Sequence, residues 1–590
     1  MDYNVSRHGY LLVLYIVVAI GFFSMVVLNR RSYQDAWILD GIVIPTVIFI
    51  FFFLVIETFV QENKKVVMFA AFLLVTVNLI PGLKYQLFLG CYDTPGHFRF
   101  TSELVSLGHI PENEFYSETY GGNSGMHIFM ACVSIISGFP IAEVFRIIIP
   151  ALCGLIPLLI YFMTRGVLDD TIQRYVIIAS SLPIVQRYGI YGTSLALLPY
   201  FLLVAVFFRY VFAKMNQKIL WLVFIILSFN LIISHAITAL FVSFLLIGML
   251  IILKSFEITR KRFPGRFSVS ALIVPTLSYV VLLMTWWMNT SAFYLNTFAH
   301  LMLRLFVGGS MIAPVPTRFS EIPLLPQLQI LTVLHLRDAL IGMLSLFGLL
   351  LFLRKSRRNE LSDKTKTFYL YLLAFLGTSM LFLSSQFAFG FGAIQYTRFI
   401  AYTMPLFSFL VGLALWRFNE SLNSVFVKPR IRNLAFAFFL FILVSACLIQ
   451  FYHCQPLVPK SNALSKDLPE DEYLVYIGGG VNTIYQIKMI SFAEVHFHNG
   501  RIASDYVTRY QIYGFSSPSF FSRHIWHSPL IPNPDQNLKW DLLLLHSVEA
   551  GPLSEPAEYR TKERIEDFRL KAGNVIYDNE ESFILSHFPN

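Results

Sequence analysis

Apolar runs of about twenty residues, divided by short polar loops, recur along most of this chain. They cover 10–28, 41–60, 66–83, 141–164, 172–187, 192–210, 218–234, 236–254, 268–290, 338–354, 367–385, 396–417 and 433–452. About 20 apolar residues in a helix cross the hydrocarbon core of a bilayer. A helix pairs its own backbone groups, which lipid cannot do for it. The pattern therefore predicts a multi-spanning α-helical membrane protein with about 13 transmembrane helices. The first run, Tyr10 to Leu28, has no A-x-A-like cleavage site and is expected to stay as a helix.

The loops give the orientation. Basic residues gather in "ENKK" at 62–65, in Arg165 to Arg174, in Arg209 to Lys218, in "KSFEITRKRFPGR" at 254–266, in "RKSRRNELSDKTK" at 354–366 and in Arg417 to Arg432. With thirteen spans, all of these face the cytoplasm, as the positive-inside bias requires. Arg30 and Arg31 are the main exceptions. The parity turns on "MHIFMACVSIIS" at 126–137, which is apolar but too short to cross and is expected to lie along the outer surface. The N-terminus is then inside. Loops 84–140 and 291–337, the turn 386–395 and residues 453–590 are outside, most simply at the cell membrane.

The last segment, 453–590, breaks the pattern. It is polar, and "YLVYI" at 473–477, "WDLLLLHS" at 540–547, "NVIYDN" at 574–579 and "SFILSH" at 582–587 read as short strands. A small external α/β domain is expected. "GGG" at 478–480 lacks dinucleotide-binding spacing and reads as a turn. His496 with His498, and His524 with His527, are expected to be surface histidines rather than metal ligands.

Composition narrows the class. The chain is 56% hydrophobic and 14% charged, against about 25% charged in a soluble domain. The net charge of +9 is spread over membrane-flanking loops, so nucleic acid is excluded as a partner. Five scattered cysteines with no C-x-x-C argue against a disulfide framework or a zinc site.

Within this frame "CYDTPGHFRF", residues 91–100, places three chemically able side chains at a membrane boundary. Thr94-Pro95 signals a helix start. A helix from about Pro95 puts Arg99 and Glu103 on one side. Asp93 then stands at its N-terminal end, as a cap or with its carboxylate turned to a cleft. His235 joins two spans on the same outer face, where Arg187 also emerges beside Tyr188 and Tyr191. Arg398 lies near the outer end of a span, against the positive-inside bias. Glu112 and Glu114 are further loop carboxylates, and His97 and His109 are candidates for orienting roles.

An acidic first external loop with D-x-x-x-H-x-R at 93–99, then "GHIP" and a short surface helix, resembles the GT-C superfamily, in the style of its archaeal members. These are multi-spanning glycosyltransferases that use lipid-phosphate-linked sugars. The likeness is one of organisation over about the first 450 residues. The first loop is also similar to that of oligosaccharyltransferases, but no W-W-D-Y-G string stands between 453 and 590. In "RFSEIPLLP", 318–326, Glu321 falls where those enzymes carry an acidic loop residue.

The resemblance implies a polyprenyl- or dolichyl-phosphate sugar as donor and a glycan, lipid or protein as acceptor, all at the membrane lipid surface. Asp93 is the implied base, since the attacking hydroxyl must lose a proton. Arg398, with its planar fork, is the implied phosphate ligand, with His235, Arg187 and Arg99 as further donors. No cofactor is expected. A divalent metal held by Asp93 with Glu112 or Glu114 is the alternative. Oligosaccharyl transfer to protein is the nearest competing activity. A transporter is the competing class, but no internal repeat of the kind transporters show is present.

The topology is directly testable. Reporter fusions after residues 260 and 360 are expected to report the cytoplasm, and one after 460 the outside. An external report at 260 would mean that 126–137 crosses the membrane.

Overall fold

The computed structural model describes residues 63–84, 87–90, 94–110, 121–182, 192–212, 216–258, 270–290, 295–296, 324–358, 360–388, 393–425, 428 and 431–440, together with short stretches between 442 and 586. Expectations for 10–28 and 41–60 lie outside these residues.

Helices dominate. In chain order they are α1 (Asn63–Lys84), α2 (Thr94–Leu107), α3 (Gly125–Ser137), α4 (Ile156–Thr164), α5 (Asp170–Ser180), α6 (Gly192–Phe212), α7 (Gln217–Ser234) and α8 (Ala236–Ile258). They continue with α9 (Ser270–Thr290), α10 (Leu324–Arg357), α11 (Asp363–Ala388) and α12 (Ala393–Val425). A shorter α13 covers Ile431–Leu440. Among the described residues four segments are long and apolar enough to cross a membrane: Gln217–Ser234, Ala236–Ile258, Leu272–Thr290 and Ala339–Arg357. Ile226, Ile251, Leu277, Val281 and Leu346 on these segments are exposed, as lipid-facing side chains are. The chain is a helical membrane protein.

Three stretches differ from the sequence pattern. The run 141–164 is not one straight helix. Pro150 has no N–H to give, and the turn Val144–Ile148 before it is a π-helix, closed by Ile149 N–H on Val144 C=O. A second break at Gly154 and Leu155 precedes α4, whose Pro157 sits in the first turn, where the missing N–H is harmless.

The second stretch, expected at 172–187, is α5, and it stops at Ser180, ahead of Pro183. Its 11 residues rise only about 16 Å. Every side chain from Ile172 to Ser180 is buried, so α5 is an inner helix rather than a lipid-facing one. Third, α10 begins at Leu324, inside what reads as an outer loop, and its 34 residues make it longer than a bilayer is thick.

Helix α12 is the hinge of the packing. Gly412 passes so close to α5 that a Cβ there would lie 2.5 Å from the Val176 Cα. Gly348 on α10 meets the Leu410 carbonyl oxygen in the same way. Hydroxyls add to this packing: Asn419 donates to Tyr175 Oη at 2.7 Å across the α5–α12 crossing, and Tyr369 Oη of α11 donates to the Phe409 carbonyl of α12 at 3.1 Å.

The first long loop is structured. It holds strand β1 (Leu87–Gly90), α2, a 3₁₀ turn at Gly121–Asn123 and α3. β1 pairs in parallel with β2 (Val475–Ile477), which forms a hairpin with β3 (Gly480–Asn482). Of the expected turn at 478–480, Gly480 belongs to β3, and 478–479 lie outside the described residues. The first loop and the polar C-terminal segment therefore share one sheet. Further strands, β4 (Ile502–Asp505), β5 (His524–Ser528), β6 (Leu542–His546), β7 (Asn574–Asp578) and β8 (Ser582–Ser586), form a mixed sheet in the order β5-β4-β6-β8-β7.

Replacing Gly412 with Leu is expected to cost about 1–3 kcal/mol, since the obstructing atoms are backbone and cannot move aside. Gly342→Ala, at a position with nothing within 4 Å, is expected to be neutral or to stabilise by up to about 1 kcal/mol. Thermal melting of the two purified variants checks both. Equal melting points would mean that the α5–α12 crossing is loose.

Candidate functional site

The corner between α7 and α8 meets α3, and α2 packs against α3, at a cluster of imidazoles. The local sequence explains why. His235 ends α7 in an extended conformation, φ −160° and ψ 105°, and its N–H still closes on Leu231 C=O. Its carbonyl then accepts from Ala239 N–H at 3.0 Å in α8. One residue thus ends one helix and starts the next.

Helix α3 is seated on this corner. A Cβ at Gly125 would come 2.7 Å from Ile233 Cγ1 and 3.1 Å from the Ile233 carbonyl oxygen, so only glycine fits at its first turn. Trp286 of α9 donates Nε1–H to the Gly122 carbonyl at 2.7 Å and ties down the preceding turn. The apolar stripe of α3, with Met126, Met130 and Ala131, is buried, and His127 is buried with it. Ile128, Phe129, Ile135 and Ile136 point outward. That is the expected behaviour of a short helix lying along a surface.

Helix α2 begins at Thr94, within one residue of its expected start. Its residues divide by angle. His97, Phe100 and Thr101 follow the i, i+3, i+4 rule and share one face. His97 Nδ1 lies 2.8 Å from His127 Nε2, with both residues buried. The two rings stack at 5.0 Å, and Phe100 meets the His127 ring edge-on at 4.6 Å. Arg99, two positions after His97, points elsewhere. Its Nε donates to Glu103 Oε1 at 2.6 Å in a largely buried ion pair. The expected Arg99–Glu103 neighbourhood is present, and it commits one edge of the guanidinium. The H-x-R motif therefore does not present both groups to one cleft.

The His127 imidazole is held well below its ordinary value of 6.5, first by burial, then by the charges that His97 and His235 would carry. His127 is therefore neutral, and His235 is close enough to bear on it. On the far side of His235, its Nδ1 lies 2.6 Å from Thr238 Oγ1 and accepts from the Thr238 backbone N–H at 3.2 Å. Thr238 Oγ1 is in turn 2.6 Å from Tyr402 Oη of α12.

The structure therefore brings His97 and His235 together and adds His127, Thr238 and Tyr402. The sequence reading did not single these three out. His127 was visible as the one ionisable group in an apolar 12-residue run. Thr238 stands three residues after a helix-boundary histidine, which is capping spacing. Tyr402 carries no such signal, being 164 positions from its partner. Asp93, Glu112, Glu114, Arg187 and Glu321 lie outside the described residues, as does the side chain of Arg398. The backbone at 398 runs in α12, one turn before Tyr402. His109 is exposed, with Nδ1 3.0 Å from the Ile110 carbonyl oxygen. Among the described residues no group of three or more His, Cys, Asp or Glu is arranged to hold a metal ion.

A neutral buried histidine makes stability depend on pH. The folded state binds this proton less well than the unfolded chain, so stability rises with pH and is lost on acidification below about 6.5. The loss is at most about 1.4 kcal/mol per pH unit. Melting points measured from pH 7 to pH 5 are expected to fall, and to fall less steeply in His127→Gln. An unchanged slope in that variant would assign the acid sensitivity to other groups.

No model of a protein family and no curated protein matches the chain, so its function has to be argued from this geometry and from the sequence.

Proposed function

We propose that the chain is an integral membrane glycosyltransferase that moves a sugar from a polyprenyl- or dolichyl-phosphate donor to a glycan, lipid or protein acceptor on the outer face of the cell membrane. The observation that carries this reading is the convergence of His97, His127 and His235 where α2, α3 and the α7–α8 corner meet. Two further positions join it through the chain. Residue 93 directly precedes α2, and residue 398 lies one turn from Tyr402. All of these belong to segments that the sequence pattern assigns to one face.

The chemistry follows from that assembly. An acceptor hydroxyl attacks the anomeric carbon, and the bond from that carbon to the phosphate oxygen breaks. The hydroxyl proton passes to the Asp93 carboxylate, acting as general base. The phosphate leaves with the bonding electrons, and its growing charge needs cations and N–H donors set in advance. Arg398 supplies a paired fork, and His235 an N–H. The apolar, lipid-facing helices keep the isoprenoid tail beside this surface. The five-stranded C-terminal sheet is read as a small α/β domain that sits over the same face and takes part in acceptor choice.

The test is incubation of purified protein with radiolabelled polyprenyl-phosphate sugars and chromatography of what becomes labelled. Transfer is expected, and Asp93→Asn is expected to slow it by about 10²–10⁴-fold without loss of expression. Absence of transfer from every lipid-phosphate sugar tried, by protein that melts cooperatively, would overturn the proposal.

A further inference from the structure

We infer that Thr238 and Tyr402 are positioning residues: they fix His235 as a neutral imidazole whose proton sits on Nε2, making it a one-directional N–H donor. The inference rests on the proposed function only for what that N–H points to. The proton arrangement follows from hydrogen bonding alone.

The argument starts from one backbone group. The N–H of Thr238 approaches His235 Nδ1 at 3.2 Å. A main-chain N–H only donates, so Nδ1 must offer its lone pair. Thr238 is the third residue of α8, and its N–H is one of the four donors that a helix start leaves without a partner. Serine, threonine, aspartate or asparagine usually accepts it. Here an imidazole does, through a 3.2 Å bond that weights the ring against a proton on Nδ1 and leaves the hydroxyl pair to complete the bias.

The rest is forced in sequence. Thr238 Oγ1 stands 2.6 Å from the same Nδ1. Since Nδ1 has no proton, the threonine hydroxyl donates to it. That hydroxyl has a single proton and has now used it. Tyr402 Oη, 2.6 Å away, must therefore donate to Thr238 Oγ1. Thr238 and Tyr402 are both buried, so water does not compete for these bonds. The direction runs Tyr402 to Thr238 to His235, and the only ring proton left is on Nε2. The ring belongs to the same cluster as neutral His127. An imidazolium at 235 would have to give up the bond from the Thr238 N–H and reverse the one from the threonine hydroxyl.

The arrangement suits a phosphate ester oxygen, an acceptor without a proton. A histidine free to turn or change tautomer would meet that oxygen with a lone pair for part of the time. The chain from Tyr402 removes that state. It also couples the donor histidine to α12, the helix that carries position 398.

Two measurements test the inference. The first needs no substrate. In full-length protein labelled with ¹⁵N-histidine, the His235 signals, assigned by their loss in His235→Gln, are expected near neutral pH as an unprotonated Nδ1 and a protonated Nε2. Tyr402→Phe is expected to give a mixture of tautomers. A protonated Nδ1 in the wild type, or identical spectra for wild type and Tyr402→Phe, would overturn the inference whatever the protein's activity. The second is a cycle on transfer rate. Tyr402→Phe is expected to lower transfer about tenfold. His235→Gln keeps an N–H near the Nε2 position, and in that background Tyr402→Phe is expected to have no further effect. An equal loss in both backgrounds would make Tyr402 a packing residue only. Absence of transfer in the wild type would count against the glycosyltransferase reading and leave the first measurement standing.

Discussion

The close approach of α12 to two neighbours is the constraint on which the rest of the structure depends. At Gly412 and Gly348 helices meet backbone to backbone, with no side chain between them. Such contacts have little freedom to slide, because the obstructing atoms belong to the chain itself. The position of α12 is thereby set relative to α5 on one side and α10 on the other. Everything α12 carries is then delivered at a fixed height, including the Tyr402 hydroxyl that reaches Thr238. The buried α5 is an inner strut in this frame, short because it does not need to cross a bilayer by itself.

Above the frame, polar groups are placed where burial would otherwise be costly. A buried imidazole needs partners for its polar nitrogens. His97 and His127 supply one another across the α2–α3 contact, and His235 draws on the backbone of the helix it caps. Each bond joins two elements. The inward face of helix α3 does two tasks as a result: Met126, Met130 and Ala131 pack into the core, and His127 carries a polar group into a protected corner. The Arg99–Glu103 pair, by contrast, lies wholly within α2. Removing one partner of a largely buried ion pair is costly even where the pair itself contributes little.

The sequence made the broad architecture legible and the site only half so. Hydrophobic periodicity is a local signal, and it located the four membrane-length helices, the short helix around 126–137 and the start of α2. It overran at α5 because an inner helix is as apolar as a lipid-facing one, so only Pro183 marked the end. It missed the start of α10 because "PQLQ" at 326–329 reads as loop, although helical backbone tolerates polar residues. In the C-terminal segment, strands rich in β-branched and aromatic residues were recognisable. β1, β3, β4 and β5 were not, being three to five residues each with little pattern. At the site, His97 and His235 were visible as isolated ionisable groups at membrane boundaries. Tyr402 was hidden, because a tyrosine in an apolar helix has many uses and its partner is remote in sequence. That pairing is a property of helix packing, which periodicity does not encode.

The pairing of β1 with β2 has a consequence for how the protein is made. Leu87 and Val475 are register partners in one parallel ladder. At a synthesis rate of about 5–20 residues per second, the first of these strands waits tens of seconds for the second. For that time the edge of β1 is open and the start of α2 lacks its neighbouring sheet. The intervening helices insert while the outer assembly is still incomplete. The sheet beside α2 is thus completed only after the intervening helices are made. A nascent chain would hold its spans long before it held a finished surface above them.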